Sequence, residues 1–298
     1  MYGATAGQVG ILRFEAATNQ AVCGILPSNE ITPEFLFYSF LEQKDALVAQ
    51  ATGNAQPNIS QEKIRNTEIR FPPLPEQRRI VGILDDAFEA IATAKANTEK
   101  NLQNARAIFE SHLDEVFTKR GPGWVEKQIG ECFKVRSGEF LPAKAMVLTG
   151  SFNVCGGNGI IGRHDEYNLS GENIIIGRVG AKCGNVHRLT GDLWVTDNAL
   201  YISDYYFSFD LDFLARLLRF VNLGKQANQT AQPVISYTTI REVVLNFPSS
   251  MSQQAKIASQ IDTLEEGTEK ATYIYKAKLS ALESLKKSLL HQAFAGEL

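Results

Sequence analysis

The sequence lacks the features typical of membrane, secreted and zinc-binding proteins. It has no run of about 18 apolar residues, so we expect no membrane span. Its first residues, MYGATAGQVGIL, have no basic start and no long apolar core, so we expect no signal peptide. The four cysteines are far apart and form no C-x-x-C pair, and the four histidines are equally scattered. We therefore expect no metal site, and reduced cysteines in a cytoplasmic protein are the simplest account.

An excess of positive charge is also missing. The formal net charge is -3 and the pI is about 5.9. Because phosphate contacts require Lys and Arg, this balance argues mildly against nucleic-acid binding. No segment is strongly basic or acidic. A DNA-binding face would therefore have to form by segregation of charges within a domain, or be shared with a partner protein.

Common catalytic motifs are absent as well. The sequence has no G-x-x-x-x-G-K-[ST], no H-E-x-x-H and no G-x-S-x-G. A G-x-G-x-x-G pattern occurs at Gly157, Gly159 and Gly162, but a dinucleotide site needs a helix directly after it. The residues that follow, RHDEYNLSG, have no helical apolar period, so we interpret the match as a turn. We expect no catalytic residue and no cofactor bound by this chain.

What the sequence does contain is an internal duplication with an offset between 176 and 178 residues. Matching segments keep the same order in both copies, which chance similarity would rarely produce. The matches are YGATAGQV at 2–9 with VGAKCGNV at 179–186, TNQA at 18–21 with TDNA at 196–199, PEFLFYSFL at 33–41 with LDFLARLLRF at 211–220, GNAQPNIS at 53–60 with QTAQPVIS at 229–236, KIRNTEIRFP at 63–72 with TIREVVLNFP at 239–248, and EQRRIVGIL at 76–84 with QQAKIASQI at 253–261.

Each copy leads into a long helix with an apolar stripe. The stretch Pro72–Arg120 has prolines only at its start and apolar residues at four-three spacing, which predicts one helix roughly 60 Å long. The 177-residue offset gives the second helix, and the matching stripes predict a coiled coil. If the second globular domain connects the end of the first helix to the start of the second, antiparallel pairing is the simplest arrangement. The residues predicted to pair are Ile80, Leu84, Ile91, Ile108, Ile257, Ile261, Leu264, Leu282, Leu285 and Leu289.

The predicted fold is α+β, with two globular mixed α/β domains separated by the helix pair. We predict a first globular domain at 1–75, the first long helix at 76–120, a second globular domain at 121–250 and the second long helix at 251–298. Short apolar runs between many glycines favour an irregular α+β domain over a parallel sheet, with helices at Phe209–Leu223 and Pro33–Val48. The first domain has no counterpart of Trp124–Arg178. This implies either a truncated domain or one completed by self-association or by another fragment.

Polar loop residues between glycines form the candidate DNA-reading surface. Arg and Lys contact guanine, Asn and Gln contact adenine, and Ser contacts phosphate; ordinary solvated loops are the alternative reading. The candidates in the second domain are Arg136, Ser137, Lys144, Asn158, Arg163, Arg178, Lys182, Asn185, His187, Arg188 and Gln232. Those in the first domain are Tyr2, Thr5, Gln8, Gln56 and Asn58.

Several motifs resemble the specificity subunit of type I restriction–modification systems. These are RFPPLPEQRRIVGILD at 70–85, GWVEKQIGECFKVRSGEF from Gly123, NGIIGRHDEYNLSGENIIIGRVGAKCGNV from Asn158, and the ending SLKKSLLHQAFAGEL. The second resembles the W-x-x-x-x-L-G-E start of that family's target recognition domains, with Ile129 in place of Leu. The similarity covers essentially the whole chain.

The resemblance implies a DNA-binding subunit without catalytic activity. Each target recognition domain would read one half of a split site, and the helices would set the gap between the halves. The helices would also dock two methyltransferase subunits that bring S-adenosylmethionine, and motor–nuclease subunits with ATP and Mg would join for restriction. A non-DNA-binding scaffold, a half-functional truncated subunit and a standalone methyltransferase remain alternatives, although the chain has no N-P-P-x loop for the last.

Overall fold

The computed structural model describes residues 6–51, 58–119, 121–228 and 232–298. The chain divides into two compact units: unit 1 is Met1–Asn104 with Ala271–Leu298, and unit 2 is Ala105–Lys270. The helices are α1 (Pro33–Glu42), α2 (Lys44–Ala49), α3 (Gln61–Arg65), α4 (Leu74–Thr118), α5 (Ile129–Cys132), α6 (Leu211–Val221), α7 (Tyr237–Ile240) and α8 (Met251–Ala295). The strands are β1 (Trp124–Gln128), β2 (Phe133–Ser137), β3 (Phe152–Gly156), β4 (Gly159–His164), β5 (Glu172–Gly177), β6 (Val186–Thr190), β7 (Leu193–Val195), β8 (Ala199–Tyr205) and β9 (Val244–Pro248).

Unit 2 contains all nine strands formed by the described residues, in three small sheets. One sheet has the strand order β2-β8-β5-β6, a second has β4-β3-β7, and β1 pairs with β9. Every pairing is antiparallel except that of β3 with β7. The irregular α+β domain predicted from the short apolar runs is therefore confirmed. The G-x-G-x-x-G segment forms the β3–β4 hairpin, and no helix follows it.

The core of unit 2 lies between the four-stranded sheet and α6. The Asp210 side chain caps α6 by accepting a hydrogen bond from the backbone N–H of Phe213 at 2.9 Å, which satisfies one of the free donors of the first turn. The buried face of the helix packs against the sheet side chains Ile174 and Ile176 and against Phe247 of β9. The helix predicted at Phe209–Leu223 is thus observed two residues shorter at each end.

Unit 1 is helical in its described part, apart from loops. The Thr32 hydroxyl caps α1 by accepting from the N–H of Phe35 at 3.2 Å. The helix predicted at Pro33–Val48 is present but broken at Gln43, so it forms α1 and α2. Two small apolar clusters result. One joins α1 to α4 and α8 through Phe35, and the other contains Phe40, Leu47 and Ile59.

The long helices run antiparallel within each unit. In unit 1, Leu84 of α4 packs in one cluster with Leu290 and Ala293 of α8, and Lys95 forms an ion pair with Glu283 at 2.6 Å. In unit 2, residues near the C-terminal end of α4 share a cluster with the first turns of α8. The helix predicted over Pro72–Arg120 is α4, Leu74–Thr118. The antiparallel pair of long helices is therefore confirmed.

Two of the predicted pairing residues do not lie in the buried seam. Ile108 is 61% exposed and Leu285 is 47% exposed, so their assignment to the seam is wrong. A helix has about 3.6 residues per turn, and a stripe extended at strict four-three spacing drifts around it over several turns. Phe109, one residue after Ile108, packs against the core of unit 2 instead. Lys286, one residue after Leu285, contacts α4 instead, with its ammonium 4.8 Å from the ring centre of Phe88.

The duplication is visible in the structure of the two units. Gly7 and Gly184 are repeat equivalents, and both have a positive φ, +78° and +86°. Ser60 accepts from the N–H of Lys63 at the start of α3, and its equivalent Ser236 holds the matching position before α7. None of the helices in the described parts of the chain combines the length and apolarity needed to cross a membrane.

Candidate nucleic-acid interface

The candidate interface lies at one end of the four-stranded sheet of unit 2. Strand β2 ends at Ser137, opposite Leu200, and β5 ends at Gly177, opposite Ala199. Because antiparallel neighbours run in opposite directions, the ends of β2 and β5 meet the start of β8. The loops that leave these strands therefore come together at this end.

Gly177 allows a close backbone approach that brings two loops together. A Cβ at this position would lie 2.2 Å from the carbonyl oxygen of Gly157 and 2.4 Å from that of Lys182. Only glycine fits such a contact without displacement of backbone. The β3–β4 turn, which carries Asn158, therefore lies directly against the loop that begins at Arg178.

Arg178 holds this end of the sheet together. Its Nη1 donates to the Ser137 hydroxyl at 3.1 Å and to the backbone oxygen of Asp197 at 3.0 Å. Its backbone oxygen accepts from the N–H of Ile235 at 2.9 Å. The guanidinium is therefore engaged within the protein, which gives Arg178 a positioning role.

The remaining loop contacts place amide side chains at the same end. Gly180 donates to the oxygen of Pro233 at 2.9 Å, which brings Gln232 beside the loop after β5. The Asn185 amide donates to the Asn158 side-chain oxygen at 3.1 Å, and both groups are at the surface. Paired side-chain amides of this kind present further donors and acceptors outward, which is the chemistry that adenine edges require.

His187 lies beside the same turn. The ring is within 3.4 Å of the position that a Cβ on Gly159 would occupy. Its Nε2 is buried and has no hydrogen-bond partner among the described residues. Burial, and secondarily the charge of Arg219, lower the pKa of His187 below its ordinary value. The neutral ring is therefore favoured.

Positive charge at this end comes from two exposed lysines. Lys182 forms no side-chain hydrogen bond or ion pair with the part of the chain that the structure describes. Lys225 is exposed in the turn after α6, where a Cβ on Gly184 would lie 2.1 Å from the neighbouring Gly224 nitrogen. Sequence reasoning missed Lys225, because nothing in the chain order places it near Lys182.

Asn198 was also missed. It is exposed in the turn that leads into β8, and its backbone oxygen accepts from the N–H of Arg178 at 3.0 Å. The internal repeat could have identified Asn198 as a candidate. It belongs to the repeated segment TDNA, and the matching segment TNQA also carries amide side chains, an Asn–Gln pair. In unit 1, the Asn19 side chain of that segment accepts from the N–H of Ala21 at 3.0 Å.

Four predicted DNA-reading residues of unit 2 lie elsewhere or are engaged. Arg188 bridges Glu172 at 3.1 Å and Asp212 at 3.0 Å. The other three are Arg163, which donates to the oxygens of Gly150 and Ser151, Arg136, which is 3.9 Å from Asp204, and Lys144, which lies in the exposed turn beside the end of β4. Seven predicted residues do come together: Ser137, Asn158, Arg178, Lys182, Asn185, His187 and Gln232.

The predicted residues of unit 1 are only partly described. Tyr2, Thr5 and Gln56 lie outside the described residues. Gln8 is exposed, and Asn58 lines a cavity of about 240 Å³ together with Gln20. Among the described residues, no group of three or more His, Cys, Asp or Glu side chains is arranged to hold a metal ion.

Comparison with known proteins places the chain in a family. The model of the family described as the type I restriction modification DNA specificity domain matches residues 1–104 and 122–284. The chain therefore belongs to this family of specificity domains. Its two matched segments each include one copy of the internal repeat.

Two curated relatives are specificity subunits of type I restriction enzymes. The chain is 32% identical, over 171 residues, to the specificity subunit of the type I restriction enzyme EcoprrI of Escherichia coli; the match covers 56% of this chain and 41% of that protein. It is 26% identical over 157 residues to the MjaIX specificity subunit of Methanocaldococcus jannaschii, covering 46% and 36%. The matches thus span less than half the length of these relatives.

Solved structures show the same fold. A chain from a structural study of complex assembly and conformational transition of the type I R-M system aligns with a TM-score of 0.73 at 18% identity, over 90% of this chain and 72% of that one. The HsdS subunit from Thermoanaerobacter tengcongensis aligns with a TM-score of 0.61 at 19% identity, over 90% and 71%.

Proposed function

We propose that this chain is a non-catalytic DNA-sequence-reading subunit of a type I restriction–modification complex. Unit 2 reads one half of a bipartite DNA site through the sheet end that contains Lys182. The observation that supports this most strongly is the convergence of seven predicted polar residues, from two strand ends and three loops, at that end. The side-chain amides of Asn158, Asn185 and Gln232 and the exposed ammonium of Lys182 have the chemistry of base-edge and phosphate contacts.

The two exposed lysines supply the local charge that the whole chain lacks. Lys182 and Lys225 are both exposed near this end of the sheet, although the chain as a whole has a net charge of -3. Each phosphate neutralised contributes about 0.9 to the slope of log K against log salt, so two contacts correspond to a slope of only about 2 and a small electrostatic contribution to binding. We therefore expect tight binding to require partner subunits that add phosphate contacts.

The long helices fit the role of spacer and docking surface. Each has 45 residues, and a helix of that length extends over roughly 65 Å, against about 34 Å for one turn of B-DNA. Their solvent-facing sides would dock two methyltransferase subunits, and restriction subunits would join that assembly. S-adenosylmethionine, ATP and Mg belong to those partners, and the complex acts in the cytoplasm.

Salt-dependent DNA binding tests the reading role of unit 2. Duplexes selected from a random pool are bound to the full chain, and Lys182→Ala is compared with Lys256→Ala, an exposed lysine on α8. We expect Lys182→Ala to reduce the salt slope by about 1, with no change for Lys256→Ala. Equal slopes for both variants, or a wild-type chain whose DNA affinity does not depend on salt, would leave the scaffold alternative as the explanation.

Footprinting tests which half-sites are read. The described residues of unit 1 form no strand and no turn like that between β3 and β4, so we expect the chain to protect one half-site. Protection of two separated half-sites by one copy of the chain would contradict this expectation. In that case both units read DNA, and the chain is not a half-functional subunit.

A further inference from the structure

Two asparagine side chains meet where the β3–β4 turn lies against the loop before β6. The Asn185 amide nitrogen donates to the Asn158 side-chain oxygen at 3.1 Å. Neither side chain forms another hydrogen bond with the residues that the structure describes. An Asn amide has two N–H donors and one acceptor oxygen. One N–H and the oxygen of Asn185 are therefore free to bind a ligand.

The backbone that carries Asn185 is fixed on both sides. Its N–H donates to the backbone oxygen of Lys182 at 3.1 Å, and its own oxygen accepts from the N–H of Gly177 at 2.8 Å. The preceding Gly184 has a φ of +86°, and a Cβ there would lie 2.1 Å from the nitrogen of Gly224. Only glycine fits this conformation and this approach. The Asn185 side chain thus leaves a rigid backbone at a defined point.

Asn158 fixes the orientation of the Asn185 amide. The last torsion of an Asn side chain is broad and roughly two-fold, so an unrestrained amide readily exchanges the places of its oxygen and nitrogen. In the opposite orientation the Asn185 oxygen would face the Asn158 oxygen, and both are acceptors. Asn158 itself lies in the short turn between Gly156 and Gly159, which pair with each other across the hairpin. The pair therefore presents the free donor and the free acceptor in a defined order.

A neighbouring donor and acceptor match one base edge in the major groove of B-DNA. Adenine presents the N7 acceptor beside the N6 amino donor, which an Asn side chain contacts through two hydrogen bonds. Guanine presents two acceptors, N7 and O6, so one of them would oppose the Asn185 oxygen. Cytosine presents only an amino donor, and thymine presents an acceptor beside a methyl group. Adenine is therefore the base that satisfies both free groups.

We propose that Asn185 reads one adenine of the half-site and that Asn158 is the positioning residue that orients its amide. The Asn185 oxygen accepts from the adenine N6 amino group, and its free N–H donates to N7. Because the backbone and the amide are already held in place, little conformational freedom is lost on binding. The exposed ammonium of Lys182, three residues earlier, supplies a phosphate contact near this base. This assignment rests on the proposed function and names a base that it leaves open.

Site selection with the full chain tests the reading residue. Duplexes are selected from a random pool, and the preference for each base is measured at every position of the half-site. We expect Asn185→Ala to reduce the preference for adenine at one position by about tenfold or more, with the other positions unchanged. Gln260→Ala removes an exposed amide from α8 and is the matched control, which should keep every preference. An adenine preference that survives Asn185→Ala would overturn the proposal.

Two substitutions at Asn158 separate positioning from a purely structural role. Among the described residues only Asn222 has a positive φ outside glycine, so both substitutions fit the backbone at Asn158. Asn158→Asp keeps an oxygen that accepts from Asn185, and we expect the adenine preference to be retained although the added negative charge weakens binding to all duplexes. Asn158→Ala removes that oxygen and should reduce the same preference as Asn185→Ala does. Equal preferences in the two Asn158 variants would contradict the positioning role.

A modified base tests the contact without any change in the protein. In 7-deazaadenine a C–H group replaces N7, while pairing with thymine is kept. Placed at the position identified by selection, it should weaken binding of the wild-type chain several-fold and leave binding of Asn185→Ala unchanged. Equal weakening of both proteins would overturn the assignment of Asn185 and leave the reading role of unit 2 standing. A wild-type chain that selects no sequence at all would overturn the reading role and this assignment together.

Discussion

Gln77 and Gln254 are repeat equivalents that make the same buried hydrogen bonds in the two units. The Gln77 side chain accepts from the N–H of Thr32 at 2.9 Å and donates to Pro72 and Glu30 backbone oxygens at 2.8 Å each. Gln254 accepts from the N–H of Asp210 at 2.8 Å and donates to the equivalent oxygens of Pro248 and Ser208 at 2.9 and 3.5 Å. Both side chains are 0% exposed. Each one ties the cap of a globular-domain helix to the start of a long helix.

Gln254→Ala should therefore destabilise unit 2 substantially. The substitution leaves the N–H of Asp210 and the oxygen of Pro248 buried without partners, at a cost of about 1–3 kcal/mol for each group. We expect the free energy of unfolding to fall by about 2–6 kcal/mol, measured by urea denaturation. Gln253→Ala, one residue earlier and exposed, is the control and should be nearly neutral. Equal effects at both positions would show that the buried bonds contribute little.

The corrected seam predicts unequal effects of two aliphatic substitutions on α4. Leu84 is 0% exposed, so Leu84→Ala should lower the free energy of unfolding by about 2–5 kcal/mol, because apolar burial is lost and a cavity remains. Ile108→Ala should stay within about 0.5 kcal/mol, because its side chain is largely in solvent. Circular dichroism during chemical denaturation measures both. A large loss of unfolding free energy in Ile108→Ala would show that Ile108 lies in the seam, as the strict four-three spacing predicted.

The buried neutral ring of His187 predicts a pH dependence of stability. Its folded pKa lies below the ordinary 6.5. The unfolded chain therefore binds a proton at higher pH than the folded chain does. Stability from this group is fully present above about 6.5 and is lost as the pH falls from there through the folded pKa. We expect His187→Gln to lose less stability than wild type between about pH 7.5 and pH 5. The carboxylates titrate in the same way in both proteins. An equal loss of unfolding free energy in wild type and His187→Gln over this pH range would therefore show that His187 does not cause the pH dependence.

The architecture was predictable because it is repeated and periodic. The apolar stripe identifies the first long helix, the offset gives the second, and the globular domain that connects them favours antiparallel pairing. What the pattern could not fix is the phase of the seam over many turns. Small errors accumulate along a straight helix, which is why Leu84 was placed correctly and Ile108 was not.

The candidate site was predictable in residue type but less so in role. Arg178 has the chemistry of a base-reading residue, yet its guanidinium is directed to Ser137 and a backbone oxygen. Long-range loop contacts decide such assignments, and a single sequence does not specify them. Lys225 joins the interface through the close approach of Gly184 to Gly224, which no local pattern indicates.

The division of the chain has a consequence for synthesis on the ribosome. Unit 2 is one uninterrupted segment, whereas unit 1 needs Ala271–Leu298 to bury Leu84 against Leu290 and Ala293. The N-terminal part of unit 1 therefore cannot complete its fold until about 170 further residues have been synthesised, which takes roughly 10–30 s at ordinary elongation rates. During that interval its apolar helix face is bare and available to chaperones, and the later-made unit folds first.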